Sequence, residues 1–67
     1  METNEEMFIR CVRQSMLLLK ENGAAHIGVP EEGFTLSEKR KIELALHDCK
    51  IEWGTPAIIT KRKIGNQ

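Results

Sequence analysis

The sequence has few of the residues that stabilise very small domains through cross-links. Its 67 residues include two cysteines, Cys11 and Cys49, and two histidines, His26 and His47. Two cysteines are too few for a disulfide scaffold, and these four side chains lack the paired spacing of zinc sites. We therefore expect both cysteines in the core, both histidines near the surface, and no metal or cofactor.

Aromatic residues and long apolar runs are also scarce. The only aromatic residues are Phe8, Phe34 and Trp53. The longest apolar run, residues 16–19, is far shorter than the roughly 20 residues of a membrane-spanning helix. The N-terminus is acidic, whereas a secretory signal begins with basic residues. These absences predict a cytoplasmic protein with no membrane partner.

Patterns typical of catalysis or nucleotide binding are missing. The five glycines form no phosphate-binding loop. His47, Asp48 and Cys49 are adjacent, and neighbouring side chains on a helix point in different directions, so this run is not a catalytic triad. A chain this short also has little length from which to build a pocket. We expect a protein that is not an enzyme.

Two capping boxes predict where the helices begin. In each box a threonine is followed three residues later by a glutamate, at Thr3–Glu6 and Thr35–Glu38. The first helix is predicted from about residue 4 to 21, ended by Gly23 in a left-handed conformation, and the second to about residue 50. Apolar spacing assigns the following residues to the buried faces of the two helices: Phe8, Cys11, Val12, Ser15, Leu18 and Leu19, then Ile42, Ala45, Leu46 and Cys49.

Two segments are predicted to form strands. Residues 24–29 alternate between apolar and small or polar side chains, and residues 57–64 are rich in isoleucine. A turn at residues 30–33 precedes the second helix, with Gly33 at positive φ. The order helix, strand, helix, strand predicts one small α+β domain over residues 1–67, with frayed ends at 1–3 and 64–67 and a short two- or three-stranded sheet packed on two helices.

The pairing of these strands has more than one solution. The two strands and the intervening helix could form a parallel βαβ unit. A third strand at residues 51–53 would strengthen the sheet, and a hairpin over residues 51–64 stays open as an alternative. The first helix also carries more apolar residues than one buried face requires, which favours a homodimer that completes the sheet. The candidates for self-association are Ile9, Met16, Leu17 and Trp53.

The formal net charge of zero hides a division along the chain. Residues 1–38 contain seven acidic and three basic side chains, and residues 39–67 contain seven basic and three acidic ones. The basic side chains include two triplets, which are candidates for binding an acidic partner or phosphate: Lys39, Arg40, Lys41 and Lys61, Arg62, Lys63. The first triplet contradicts the preference of a helix start for anions, whereas the second could equally protect a strand edge.

These observations lead to two hypotheses for function. The first is a non-enzymatic regulator, inhibitor or adaptor that binds another protein, of the kind that phages and mobile elements use as accessory proteins. The alternative is a dimeric nucleic-acid-binding protein that applies its basic residues to phosphate. The zero net charge and the scarcity of aromatic residues favour the first hypothesis.

Overall fold

Two helices and three strands follow one another in the computed structural model, which describes residues 1–19 and 23–62. Their order is α1 (Asn4–Leu18), β1 (Ala24–Ile27), α2 (Leu36–Ala45), β2 (Cys49–Glu52) and β3 (Ala57–Lys61). This arrangement confirms the predicted small α+β domain, and its sheet has three strands, the larger of the two predicted numbers. In the part of the chain that the structure describes, no helix is both long and apolar enough to cross a membrane.

Both helices begin at the capping boxes predicted from the sequence. The Thr3 hydroxyl accepts a hydrogen bond from the Glu6 backbone N–H at 3.1 Å, and the Glu6 carboxylate accepts one from the Thr3 N–H at 2.9 Å. Thr35 and Glu38 repeat this exchange at 3.1 and 2.8 Å. Each box satisfies two backbone donors that a helix start otherwise leaves unpaired.

Both helices end earlier than predicted. The backbone of Leu19 is extended, with φ −83° and ψ 144°, so α1 stops at Leu18 and does not end at Gly23 as predicted. Helix α2 stops at Ala45, since a turn at residues 46–48 leads directly into β2. Cys49 therefore lies on a strand instead of a helix, although it is buried as predicted.

The sheet is antiparallel, in the order β1-β3-β2. Strand β1 pairs with β3 in the register Ala25 opposite Ile59, and β2 pairs with β3 with Ile51 opposite the same Ile59. The predicted parallel pairing of the first and last strands was therefore wrong. The hairpin alternative, formed by β2 and β3, was right. The chain reverses at residues 53–56, so β3 returns between β1 and β2, which run parallel to each other without touching.

The core lies between the helices and one face of the sheet. Its fully buried large side chains are Val12, Ile42, Leu46 and Ile59. The smaller or less deeply buried members are Phe8, Ala25, Cys49 and Ala57. Two residues assigned to buried faces from the sequence are exposed, because each lies where its helix ends: Leu18 is 87% exposed, and Ala45 is also exposed.

Ile42 and Leu44 test how far the stability depends on this core. Ile42 is 0% exposed and Leu44 is 76% exposed on the same helix. We expect Ile42→Ala to lower the free energy of unfolding by about 2–5 kcal/mol and Ile42→Val by about 0.5–1.5 kcal/mol, because each leaves a cavity. Leu44→Ala should cost less than about 0.5 kcal/mol. Urea unfolding would measure all three changes, and equal losses at the two positions would contradict the packing described here.

Candidate functional site

The structure divides the first basic triplet between two surfaces. The Lys39 ammonium lies 5.5 Å from the centre of the Trp53 ring, so this side chain packs beside the core. Arg40 and Lys41 are exposed on the opposite side of α2. Leu44 lies four residues after Arg40 and three residues after Lys41, so the three side chains are neighbours on the helix surface.

An apolar and basic row therefore runs along the outer face of α2. Leu36, Arg40 and Leu44 are spaced four residues apart and form one ridge, with Lys41 beside it. Leu36 is 67% exposed and Leu44 is 76% exposed. Within residues 1–19 and 23–62, neither Arg40 nor Lys41 forms a salt bridge. We call Leu36, Arg40, Lys41 and Leu44 the α2 outer face.

The second basic triplet lies near the other end of α2. Lys61 pairs across the sheet with Cys49, and the Arg62 backbone N–H donates to the Asp48 carbonyl at 3.0 Å. The Arg62 guanidinium also donates to the Cys49 carbonyl at 3.4 Å. Lys63 lies outside the described residues. The structure thus separates Lys61 and Arg62 from Lys39, which is near the start of α2, and the predicted binding residues form no single cluster.

All three aromatic side chains of the sequence form one cluster at the edge of the core. Phe8 stacks on Trp53 with ring centres 5.4 Å apart, and Phe34 meets both rings edge to face. The Trp53 indole N–H donates to the Glu43 carboxylate at 2.8 Å. Trp53 is therefore a half-buried anchor between α2 and the core. None of the three rings stands on the open face of the sheet, where sheet proteins that bind RNA present stacking aromatics.

The residues predicted for self-association do not form one exposed patch. Ile9 and Met16 are half-buried and pack against the core, as Trp53 does. Leu17 is 85% exposed and points away from the core. Of these four predicted residues, only Leu17 is open to a partner without rearrangement.

The polar side chains around Asp48 serve structure. The Arg13 guanidinium donates to the Asp48 carboxylate at 3.3 Å and to the Ala45 carbonyl at 2.8 Å, which ties α1 to the end of α2. Partial desolvation raises the pKa of Asp48. This effect is outweighed by hydrogen bonds from its own backbone N–H and the Cys49 thiol, and by the charges of Arg13 and His47, all of which lower the pKa. The net result is an Asp48 pKa below its ordinary value of 3.8.

The chemistry of Cys49 does not favour nucleophilic catalysis. Burial raises the pKa of the Cys49 thiol, and the neighbouring Asp48 charge raises it further. The thiol lies 3.7 Å from the Asp48 carboxylate, to which it can donate. A reactive cysteine needs the opposite, an exposed thiol with a lowered pKa.

The cysteines and histidines lie on different surfaces. Cys49 faces the helices, and His26 is exposed on β1, on the other face of the sheet. Cys11 is half-buried on α1, and His47 is exposed after α2. Among the described residues, no three or more His, Cys, Asp or Glu side chains are placed to hold a metal ion.

A groove between α1 and the end of β1 was missed by reasoning from sequence. It has a volume of about 250 Å³, and it is lined by Asn4, Met7, Phe8, Cys11 and residues 27–30. The strand order had to be known before β1 could be placed at an edge. The charge of the strands gave no such signal: charged residues are typical of edge strands, and β1 contains none of Asp, Glu, Lys or Arg although it is an edge.

Asp48 predicts a specific pH dependence of stability. Because its pKa is lowered in the folded state, Asp48 stabilises the fold above about pH 4, and this contribution disappears as the pH falls through the lowered pKa. We expect Asp48→Asn to lower stability at neutral pH by at most about 1 kcal/mol, the range of surface ion pairs. The difference from wild type should shrink as the pH falls through the lowered pKa of Asp48 and vanish below it.

Unfolding by urea across this pH range would measure the difference. Glu32→Gln in the exposed turn at residues 30–33 is the control, since it removes a charge without breaking a contact with Arg13. A stability difference for Asp48→Asn that stays constant with pH would contradict the assignment.

Comparisons with known proteins identify no relative. Neither a protein-family model, nor a curated protein, nor a solved structure matches this chain.

Proposed function

We propose that the protein is a non-catalytic binding module that recognises an acidic partner protein through the α2 outer face. The observation that carries the proposal is the ridge of Leu36, Arg40 and Leu44, with Lys41 beside it. Two exposed leucines can enter an apolar surface, while two cations without salt bridges among the described residues can pair with carboxylates at its rim.

The form of the ridge indicates the form of the partner. Side chains spaced four residues apart on one helix pack into the groove between such rows on another helix. The best match is therefore an acidic amphipathic helix that offers apolar side chains to Leu36 and Leu44 and carboxylates to Arg40 and Lys41. Such a partner would also supply the carboxylates that Arg40 and Lys41 lack among the described residues.

The remaining polar groups support a role without catalysis. Asp48 and Arg13 form a contact between α1 and the turn after α2, and the Cys49 thiol is buried with a raised pKa. Lys39 and Glu43 both contact Trp53. These charged groups thus have structural partners, whereas Arg40 and Lys41 have none among the described residues.

The test is titration of the protein with a designed acidic amphipathic helical peptide rich in leucine and glutamate. Binding would be followed by backbone amide NMR shifts. We expect the shifts to centre on the α2 outer face. The double variant Arg40→Glu, Lys41→Glu should weaken binding at least about tenfold, and Leu44→Ala about fivefold or more. Amide shifts that leave α2 unaffected would overturn the proposal.

A matched double variant is the control for net charge. Lys50→Glu, Lys61→Glu changes the net charge by the same amount at exposed positions of the sheet. It should bind the acidic peptide nearly as well as wild type. Equal losses in the two double variants would mean that the peptide responds to overall charge, and the assignment to α2 would fail.

Nucleic acid is the alternative partner. The dependence of binding on salt concentration distinguishes a nucleic-acid partner from a protein partner. Phosphate binding falls steeply and log-linearly with salt, while an interface anchored by leucines changes little. A parallel titration with a random-sequence DNA duplex and a single-stranded RNA supplies the comparison. Tight binding of either nucleic acid that depends on Arg40 and Lys41 but not on Leu44 would replace the protein-binding proposal with the nucleic-acid one.

A further inference from the structure

The two edges of the sheet differ in how they are protected. Strands β1 and β2 each pair with β3 alone within the described residues, so each has an outer edge available for pairing. The exposed side chains of β2 are Lys50 and Glu52, and charges on an edge strand oppose the addition of another strand. Strand β1 carries only Ala24, Ala25, His26 and Ile27 and has no such protection.

The unprotected edge continues into an uncharged side of α1. Asn4, Met7 and Cys11 line the groove beside the end of β1. By helical spacing, Gln14 and Leu18 extend this row to the end of the helix. Leu18 is 87% exposed and Met7 is 44% exposed. We call Asn4, Met7, Cys11, Gln14 and Leu18 the α1 flank.

The two arginines of α1 are paired with acidic side chains that do not belong to the α1 flank. Arg13 turns towards the end of α2, where it contacts Asp48. Arg10 pairs with Glu2 at 2.9 Å. The β1 edge, the groove and the α1 flank thus form one continuous surface whose own side chains carry no formal charge when His26 is neutral.

We propose that a second copy of this chain covers this surface, with the two β1 strands paired antiparallel about a two-fold axis. The result would be a six-stranded sheet with the two α1 flanks facing each other on one side. A two-fold axis brings the same surface of both copies into contact, so a charged residue near the axis would lie against the same residue of the second copy and be repelled by it. The β1 edge and the α1 flank meet this requirement, whereas the basic α2 outer face does not.

The order of residues along the α1 flank also fits this symmetry. Two-fold rotation reverses the direction of the second helix, which brings Met7 near Leu18 of the second copy, and Leu18 near Met7. Both exposed apolar side chains then face an apolar partner, and the central Cys11 and Gln14 face each other. The reversed arrangement therefore places the exposed apolar side chains near the two ends of the flank, Met7 and Leu18, against each other.

Side-chain alternation limits the possible registers of the new strand pair. Ala25 and Ile27 face the helices, and they must lie opposite helix-facing residues of the second copy if all helices share one side of the sheet. The two-fold axis would then pass beside either Ala25 or His26. A register displaced by one residue would place the helices of the two copies on opposite sides of the sheet.

The size of this surface predicts a weak dimer. About a dozen residues per copy take part, fewer than the 20–30 of a standard interface. We therefore expect the dimer to dissociate when it is diluted through micromolar concentrations. A dissociation constant in that range corresponds to a binding free energy of roughly −7 to −8 kcal/mol. Sedimentation velocity from micromolar to millimolar concentration would follow the change from the monomer mass to twice that mass. A monomer at millimolar concentration would overturn the proposal.

Leu17 and Leu18 supply a matched pair of variants for the same measurement. They are adjacent and almost equally exposed, at 85% and 87%, but only Leu18 lies on the α1 flank. We expect Leu18→Asp to remain monomeric at concentrations where Leu17→Asp dimerises like wild type, and circular dichroism would confirm that both are folded. Dissociation by Leu17→Asp alone would place self-association on the outward side of α1 and refute the assignment.

A second pair of variants tests the strand edge itself. The double variant Ala24→Lys, His26→Lys adds charges to exposed positions of β1 that point away from the helices, in imitation of β2. It should prevent dimerisation without unfolding the monomer. Lys50→Glu, Glu52→Lys is the control: it changes two exposed side chains of β2 but keeps that edge charged, and it should dimerise like wild type. A dimer that tolerates both lysines on β1 would exclude strand pairing there.

Discussion

The fold depends on the insertion of β3 between β1 and β2. Ala57 and Ile59 of this strand are fully buried, and Ile59 lies opposite Ala25 on one side and Ile51 on the other. A domain of this size buries only about 60% of the surface of its unfolded chain, so a central strand that pairs on both sides contributes more than its length suggests. Both helices pack over this centre, and the surfaces available to partners are those that it leaves uncovered.

Three surfaces of the described residues differ in charge. The α2 outer face combines leucine with two cations, the β1 edge with the α1 flank is uncharged, and the β2 edge carries charges of both signs. An uncharged surface can meet a copy of itself, whereas a basic surface is repelled by its copy and attracted by acidic groups. The two proposals therefore place a second copy and an acidic partner on separate surfaces, where they would not compete.

Helix starts and core composition could be predicted from the sequence because both depend on neighbours along the chain. The capping boxes at Thr3 and Thr35 formed as predicted, since each exchange of hydrogen bonds spans only three residues. The burial of Phe8, Val12 and Leu46 followed from helical spacing in the same way. Helix ends were less predictable, because α2 gives way to β2 where pairing with β3 replaces further helical hydrogen bonds.

The grouping of the candidate site residues on the surface could not be predicted, since a surface collects residues that are distant in sequence. The triplet at residues 39–41 is continuous in the chain but divided by the helix, which sends Lys39 to Trp53 and the other two outward. Leu44 completes the α2 outer face, and nothing local marks it as exposed except its position opposite Ile42 and Leu46. The Arg13–Asp48 contact joins residues 35 positions apart and could not be foreseen.

What the sequence by itself determined was the number and kind of the helices, the α+β class and most of the core, because these follow from periodicity and capping within short segments. Only the tertiary structure decided that β3 is central, that β1 is an edge, and which side of each helix meets solvent. Strand order depends on pairings between segments that are far apart in the chain, and several orders satisfy the same local preferences. The choice among them is made by packing the whole core at once.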